Sequence, residues 1–145
     1  MYFVDRKKIE STLLYMEGLM QEYQNHDFES LLEKLSLERI THMTIEAVID
    51  VGNMMIDGFI MRDPGSYEDI IDILTDEKVI PESHQEPFKN FIRLRKMLIQ
   101  DYLEIEHPVI EKSWKNTQEV LETFPSSVRR YLDEELGPVS AFSNS

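Results

Sequence analysis

Apolar residues recur along most of this chain at the spacing of a helix that buries one face. From Asp5 onward, Ile9, Leu13, Met16, Met20 and Tyr23 step by four, three, four and three, the seam of a bundle helix. Asp5 is a suitable N-cap for it, and Asn25-His26-Asp27 closes it. Ser30-Leu31-Leu32-Glu33 has the capping-box spacing, in which the serine and glutamate side chains each satisfy a free backbone N–H. Ile40, Met43, Ala47, Val51, Met54 and Gly58 continue the pattern, so the second helix is expected to run to about Phe59.

Arg62-Asp63-Pro64-Gly65 is the clearest break. A short helix restarts at Ser66-Tyr67-Glu68-Asp69, with acids in the first turn where the helix dipole favours them, and turns Ile70, Ile71, Ile73 and Leu74 inward. After Val79-Ile80-Pro81 a helix from about Glu82 carries Phe88, Phe91, Leu94 or Arg95, Leu98 and Tyr102. His107-Pro108 marks the next boundary, followed by a helix through Val109, Ile110, Trp114, Thr117, Val120, Leu121 and Phe124. A last short helix is expected from Pro125-Ser126 to Leu136-Gly137-Pro138, a Gly-then-Pro exit. Alternating β-branched runs and tight hairpin signals are nearly absent. The pattern predicts an all-α, up-and-down helical bundle of five or six helices, one domain over residues 1–137 with a tail at 138–145.

Composition narrows the chemistry. The chain has 145 residues, no cysteine, and 15 basic against 28 acidic side chains, a formal charge of −13. Without cysteine there is no disulfide, thiolate zinc site or Cys nucleophile. So acidic a surface does not coat DNA in bulk, because phosphate binding needs Lys and Arg. No apolar run approaches the length of a membrane span, and the charges at the start follow the apolar residues rather than precede them, unlike a secretory signal. A cytoplasmic location and no membrane association are the expectation.

Two features stand out. Glu38, His42, Glu46 and Asp50 follow one another by fours on the second helix, as ligands on one helical face would. His42 is expected about 200° from Ile40, which turns this stripe away from the core. A solvated or interface-lining polar stripe, a metal site, and a catalytic or partner role for its acids are the readings open to it. The other feature is basic: Lys89, Arg93, Arg95 and Lys96 fall within eight positions, and no acid occurs from Pro87 to Gln100. Such an island either pairs with acids on neighbouring helices or meets phosphate, onto whose oxygens Arg can fork. On a continuous helix Arg95 and Tyr102 are about 20° out of alignment and share a face, whereas Gln100 lies about 140° from Arg95.

The order Glu38-Arg39, Ile45-Glu46-Ala47, Asp50-Val51-Gly52-Asn53, Pro64-Gly65-Ser66-Tyr67, Val79-Ile80 and Arg95-Lys96-Met97-Leu98-Ile99-Gln100-Asp101-Tyr102 resembles the HepT-like HEPN family across nearly the whole chain. The ending Glu135-Leu136-Gly137-Pro138-Val139-Ser140-Ala141-Phe142 matches one subgroup of it. The resemblance implies an all-α fold that dimerises so that two copies of a short motif (Arg, four residues, His, one residue, Tyr) share a cleft. It implies a metal-independent ribonuclease toxin, without cofactor, paired with a small nucleotidyltransferase antitoxin that attaches AMP to the motif Tyr. On this chain Arg95 takes the Arg position and Tyr102 the Tyr position, with Tyr102 the modification site. Asp101, between Gln100 and Tyr102, is a further catalytic candidate that with Tyr102 could take over part of the proton transfer, and Lys89, Arg93 and Lys96 become RNA-binding candidates. Glu46, Asp50 and Asn53 become candidate cleft-lining residues, and no metal is expected.

The chain departs from the motif where proton transfer occurs. The His position holds Gln100 and the Asn position, just after the Arg, holds Lys96. Cleavage by attack of a 2′-hydroxyl on its own phosphate needs one group to remove that proton and another to protonate the leaving oxygen, contributions worth about 10²–10⁴-fold. Gln orients but does not transfer protons. Two functions follow: a homodimeric endoribonuclease with weakened catalysis acting on single-stranded RNA, or an inactive homodimeric module that binds RNA, a nucleotide or a protein partner.

Overall fold

In a computed structural model, residues 2–137 form five α-helices: α1 (Arg6–Gln24), α2 (Leu31–Gly58), α3 (Tyr67–Asp76), α4 (Gln85–Ile99) and α5 (His107–Leu136). Among the described residues there is no strand. Residues 138–145, including most of the subgroup-like ending, lie outside the described ones. The caps read from sequence are present. Asp5 accepts a hydrogen bond from the Lys8 N–H, Ser30 and Glu33 form the reciprocal capping box, and Ser66 accepts from the Asp69 N–H. These contacts satisfy donors that a helix start leaves free.

Consecutive helices are neighbours. α1 packs along α2, α2 on α3, α3 on α4 and α4 on α5, while α5 returns to α1 and α2 also touches α4 and α5. One hydrophobic cluster draws on all five, with Ile9, Leu13, Met16, Leu37, Ile45, Met55, Ile71, Phe88, Phe91, Trp114, Leu121 and Phe124 almost fully enclosed. Trp114 is its centre: Tyr23 stacks on it at 4.2 Å, Phe91 meets it edge-on at 5.1 Å, and its Nε1–H donates to Thr41 Oγ1 at 2.8 Å. Such offset and edge-on contacts stabilise beyond the area they bury. Gly52 lets α3 approach, since a Cβ there would strike the Ile70 side chain.

Three details differ from the sequence expectation. Helix α5 does not end at Phe124 and restart; it runs through Pro125. The missing N–H costs one helical bond, but Phe124, Pro125, Val128 and Leu132 are all buried, so packing on both sides carries the helix across. On α2 the core seam is Leu37, Thr41, Thr44, Ile45, Val48, Val51 and Met55, and Ile40, Met43 and Met54 are only half-buried. A residue off the expected seam comes to the core because α2 is contacted by four other helices, more than one stripe can serve. Finally, the helix expected from about Glu82 to Tyr102 is shorter. A 3-10 turn occupies Glu82–His84, α4 stops at Ile99, and Tyr102 begins a second 3-10 turn, Tyr102–Glu104.

Candidate functional site

The early end of α4 rearranges the motif residues. Gln100 is the C-cap, its N–H bonded to the Lys96 carbonyl, and Asp101 leaves helical geometry at ψ 37°. Arg95 therefore sits within the helix, while Gln100, Asp101 and Tyr102 belong to the bend beyond it. Those three line a shallow depression of about 540 Å³ with Met97, Leu103, Glu104 and Glu106, and Arg95 is not in its wall. Tyr102 is 63% exposed rather than the last core residue of a helix. The continuous helical face joining Arg95 to Tyr102 does not form, because the chain turns between them.

Arg95 is instead held from two other helices. Its Nε donates to Glu46 Oε1 of α2 at 2.7 Å, and its guanidinium lies 4.5 Å from the centroid of the Tyr67 ring of α3. The carboxylate and the ring face are both complementary to a cation, and the Glu46 hydrogen bond keeps Arg95 firmly protonated. Its two Nη groups make no hydrogen bond among the described residues.

The other members of the basic island are differently placed. Lys89 pairs with Asp72 at 2.6 Å, Arg93 donates through Nε and Nη2 to Glu68 and through Nη1 to Asn90, and Lys96 lies 3.9 Å from Asp101. Glu68 and Asp72 are held below the usual carboxylate range by these hydrogen bonds. The acid-free segment thus meets acids supplied by α3, and its positive charge is largely balanced there. Arg95 alone of the three arginine and lysine side chains with close partners, the others being Lys89 and Arg93, takes its acid from α2.

The Glu38–Asp50 stripe does not face away from the fold. Glu38 Oε2 meets His107 Nε2 at 2.7 Å at the start of α5, and Glu46 serves Arg95. His42 lies between, its Nε2 3.4 Å from Glu46 Oε1, the oxygen that also accepts from Arg95. Glu38, His42 and Glu46 are each less than a third exposed. The stripe is thus a polar seam packed against α4 and α5, with Glu38 engaged by the His107 imidazole and Glu46 by the Arg95 guanidinium. Asp50 ends it at the surface, on a depression of about 350 Å³ shared with Lys8, Ser11, Thr12, Tyr15, Met43 and Glu46. Partial burial and the neighbouring Glu46 push the Asp50 carboxyl up. Asn53 is half-buried and lines neither depression.

Sequence spacing singled out both Arg95 and the stripe but did not join them, since 49 positions separate Glu46 from Arg95. Tyr67 stood out only as part of the Pro64–Tyr67 turn and the helix start at Ser66–Asp69. Its partnership with Arg95 had no local signal.

The chain that carries this arrangement has close relatives. A sequence model described as Ribonuclease HepT-like matches residues 9–128. YutE of Bacillus subtilis (strain 168), provisionally named an RNase, is 50% identical over 143 residues, which is 98% of this chain and 99% of that one. The solved structure of YutE, described as a cytosolic protein of unknown function, superposes with a TM-score of 0.94 over 98% of this chain and 100% of that one. A crystal structure of a toxin–antitoxin with AMP-PNP shares the fold at 16% identity, with a TM-score of 0.66 over 83% of this chain and 95% of that one. Match, identity and fold agree over nearly the full length, and the chain belongs to the HepT-like ribonuclease family of all-α HEPN proteins.

Proposed function

We propose that this protein is an RNA-directed homodimer whose single HEPN-like domain, residues 1–137, carries a metal-independent endoribonuclease site weakened at Gln100. The observation that carries this reading is the state of Arg95. Glu46 fixes its Nε and Tyr67 its plane, while both Nη groups are left to donate to phosphoryl oxygens. Arg95 is the charge-stabilising group in this reading. Gln100 orients without transferring a proton, and Asp101 and Tyr102 stand at the bend. A second protomer brings a second such bend to the cleft, lined in part by Glu46, Asp50 and Asn53, and Lys89, Arg93 and Lys96 extend the RNA path by exchanging acids for phosphates. The toxin–antitoxin neighbour supports a cognate nucleotidyltransferase antitoxin, for which the exposed Tyr102 hydroxyl is an accessible AMP acceptor. A cytosolic site of action agrees with the description of YutE, and among the described residues no helix is long and apolar enough to cross a membrane.

Purified protein is expected to cleave single-stranded RNA in EDTA, and Arg95→Ala to lower the rate by about 10²–10³-fold. No cleavage at any protein concentration removes the nuclease reading. Gln100→His is expected to raise the rate by restoring a proton-transferring side chain.

The inactive binding module is favoured by a different observation, the pairing of Lys89 and Arg93 with α3 acids in a site whose motif holds Gln at the His position. It predicts salt-sensitive RNA binding that weakens in Arg93→Ala and Arg95→Ala with no cleavage at all.

A further inference from the structure

Glu46 joins two side chains that the sequence holds 53 positions apart. Arg95 Nε of α4 and His42 Nε2 of α2 approach the same oxygen, Glu46 Oε1, at 2.7 and 3.4 Å. We propose that His42 is the proton acceptor of the site, so that an imidazole from α2 and a guanidinium from α4 act on one phosphodiester although the motif position holds Gln100. The inference rests on the ribonuclease reading and names the group that performs its proton transfer.

The four histidines separate cleanly by environment. His26 Nδ1 bonds the Glu22 carbonyl, His84 Nδ1 meets Thr123 Oγ1, and His107 Nε2 meets Glu38. His42 has no hydrogen bond among the described residues, is 29% exposed, and is the one beside the arginine with a free fork. With Nε2 turned toward the Glu46 carboxylate, Nδ1 is the ring nitrogen left to take a proton. The charged group against His42 is Glu46 of α2, which Arg95 of α4 also engages, with Tyr67 of α3 beyond Arg95; one turn earlier on α2, Glu38 meets His107 of α5.

The step balances with RNA and water alone. His42 Nδ1 accepts the 2′-hydroxyl proton, the 2′-oxygen bonds to phosphorus, and the phosphorus–O5′ bond breaks. The leaving 5′-oxygen takes a proton from water, and His42 returns its own to solvent. The products are a 2′,3′-cyclic phosphate and a 5′-hydroxyl. Arg95 neutralises charge on the non-bridging oxygens throughout.

The test compares wild type, His42→Gln, His42→Ala, Gln100→Ala and Arg95→Ala on a fluorescent single-stranded RNA in EDTA, with helix content and RNA affinity measured for each. For His42→Gln the expected result is a cleavage rate lower by about 10²–10⁴-fold at unchanged affinity and helicity. The acid limb of the pH–rate profile is expected to disappear in His42→Gln and persist in Gln100→Ala. Added imidazole is expected to restore cleavage to His42→Ala. If wild type and His42→Gln cleave alike with the same pH profile, His42 has no such role while the nuclease reading stands. Loss of affinity or helicity in parallel with rate, or failure of imidazole to rescue His42→Ala, also overturns the proposal. No cleavage by wild type overturns both.

Discussion

The molecule contains two arginine–carboxylate clusters that look alike in a contact map and differ in what they leave unsatisfied. Arg129 of α5 commits all three guanidinium nitrogens to α1: Nε and Nη2 donate to Glu10, and Nη1 and Nη2 donate to Glu17. Arg6 of α1 donates through Nη2 to Asp133 and through Nη1 to the Gly137 carbonyl, a second tie between α1 and the end of α5. Arg95 meets one carboxylate oxygen and one ring face, and its outer fork is open among the described residues. A fully paired arginine joins helices; an arginine gripped only by its Nε presents its fork to whatever anion arrives. Counting salt bridges does not distinguish the two, but counting free donors does.

The largest expected effect tests that contrast directly. Arg95→Ala is expected to lower RNA cleavage by about 10²–10³-fold, the usual cost of losing one charge-stabilising donor, with little change in the urea midpoint. Arg129→Ala is expected to do the reverse, leaving cleavage in place and shifting the urea midpoint. Because Arg129, Glu10 and Glu17 are each a third or more exposed, water screens the pairs and the loss is about 1 kcal/mol. If Arg129→Ala abolishes cleavage while remaining folded, the division between joining and presenting arginines is wrong.

Acid sharpens the same comparison. The Arg129 hydrogen bond holds the Glu17 carboxyl below its ordinary value. A carboxylate whose folded pKa is depressed contributes stability that is present above its unfolded pKa of about 4.3 and lost as pH falls through the folded value. Thermal melts of the wild type are therefore expected to lose this contribution below about pH 4, and Arg129→Ala to show a shallower acid decline. Asp50 has the opposite sign. Burial first, and Glu46 second, raise its pKa, so its contribution is present below the unfolded value and lost as pH rises through the folded one. Asp50→Asn is expected to give a small gain in melting temperature at pH 7 that disappears near pH 3, the smallest effect of the set.

Much of the architecture was legible locally because its causes are local. Asp5, Ser30 with Glu33, and Ser66 cap helices by contacts three residues away, and Gly137 ends α5 in a backbone conformation with φ 84° that favours glycine. Pro125 misled for the converse reason. Its missing hydrogen bond is a local signal, whereas the burial of Phe124, Val128 and Leu132 that carries α5 past it is tertiary. The end of α4 at Ile99 moved Tyr102 off the Arg95 face, since a seven-residue phase argument holds only while the helix continues. In the site, the spacing by fours of Glu38, His42 and Glu46 was visible, but what faces that stripe depends on α4 and α5 folding against α2. The balance of the basic island by Asp72 and Glu68 was hidden likewise, because those acids sit on α3.

The enclosure of Trp114 has a practical meaning. It is the sole tryptophan of the chain, fully shielded from water, stacked on Tyr23 and hydrogen-bonded to Thr41. Its emission therefore reports on the joint where α1, α2, α4 and α5 meet, with no other indole to blur the signal. The chain carries its own optical gauge of whether the bundle is assembled, read from a ring enclosed in the core.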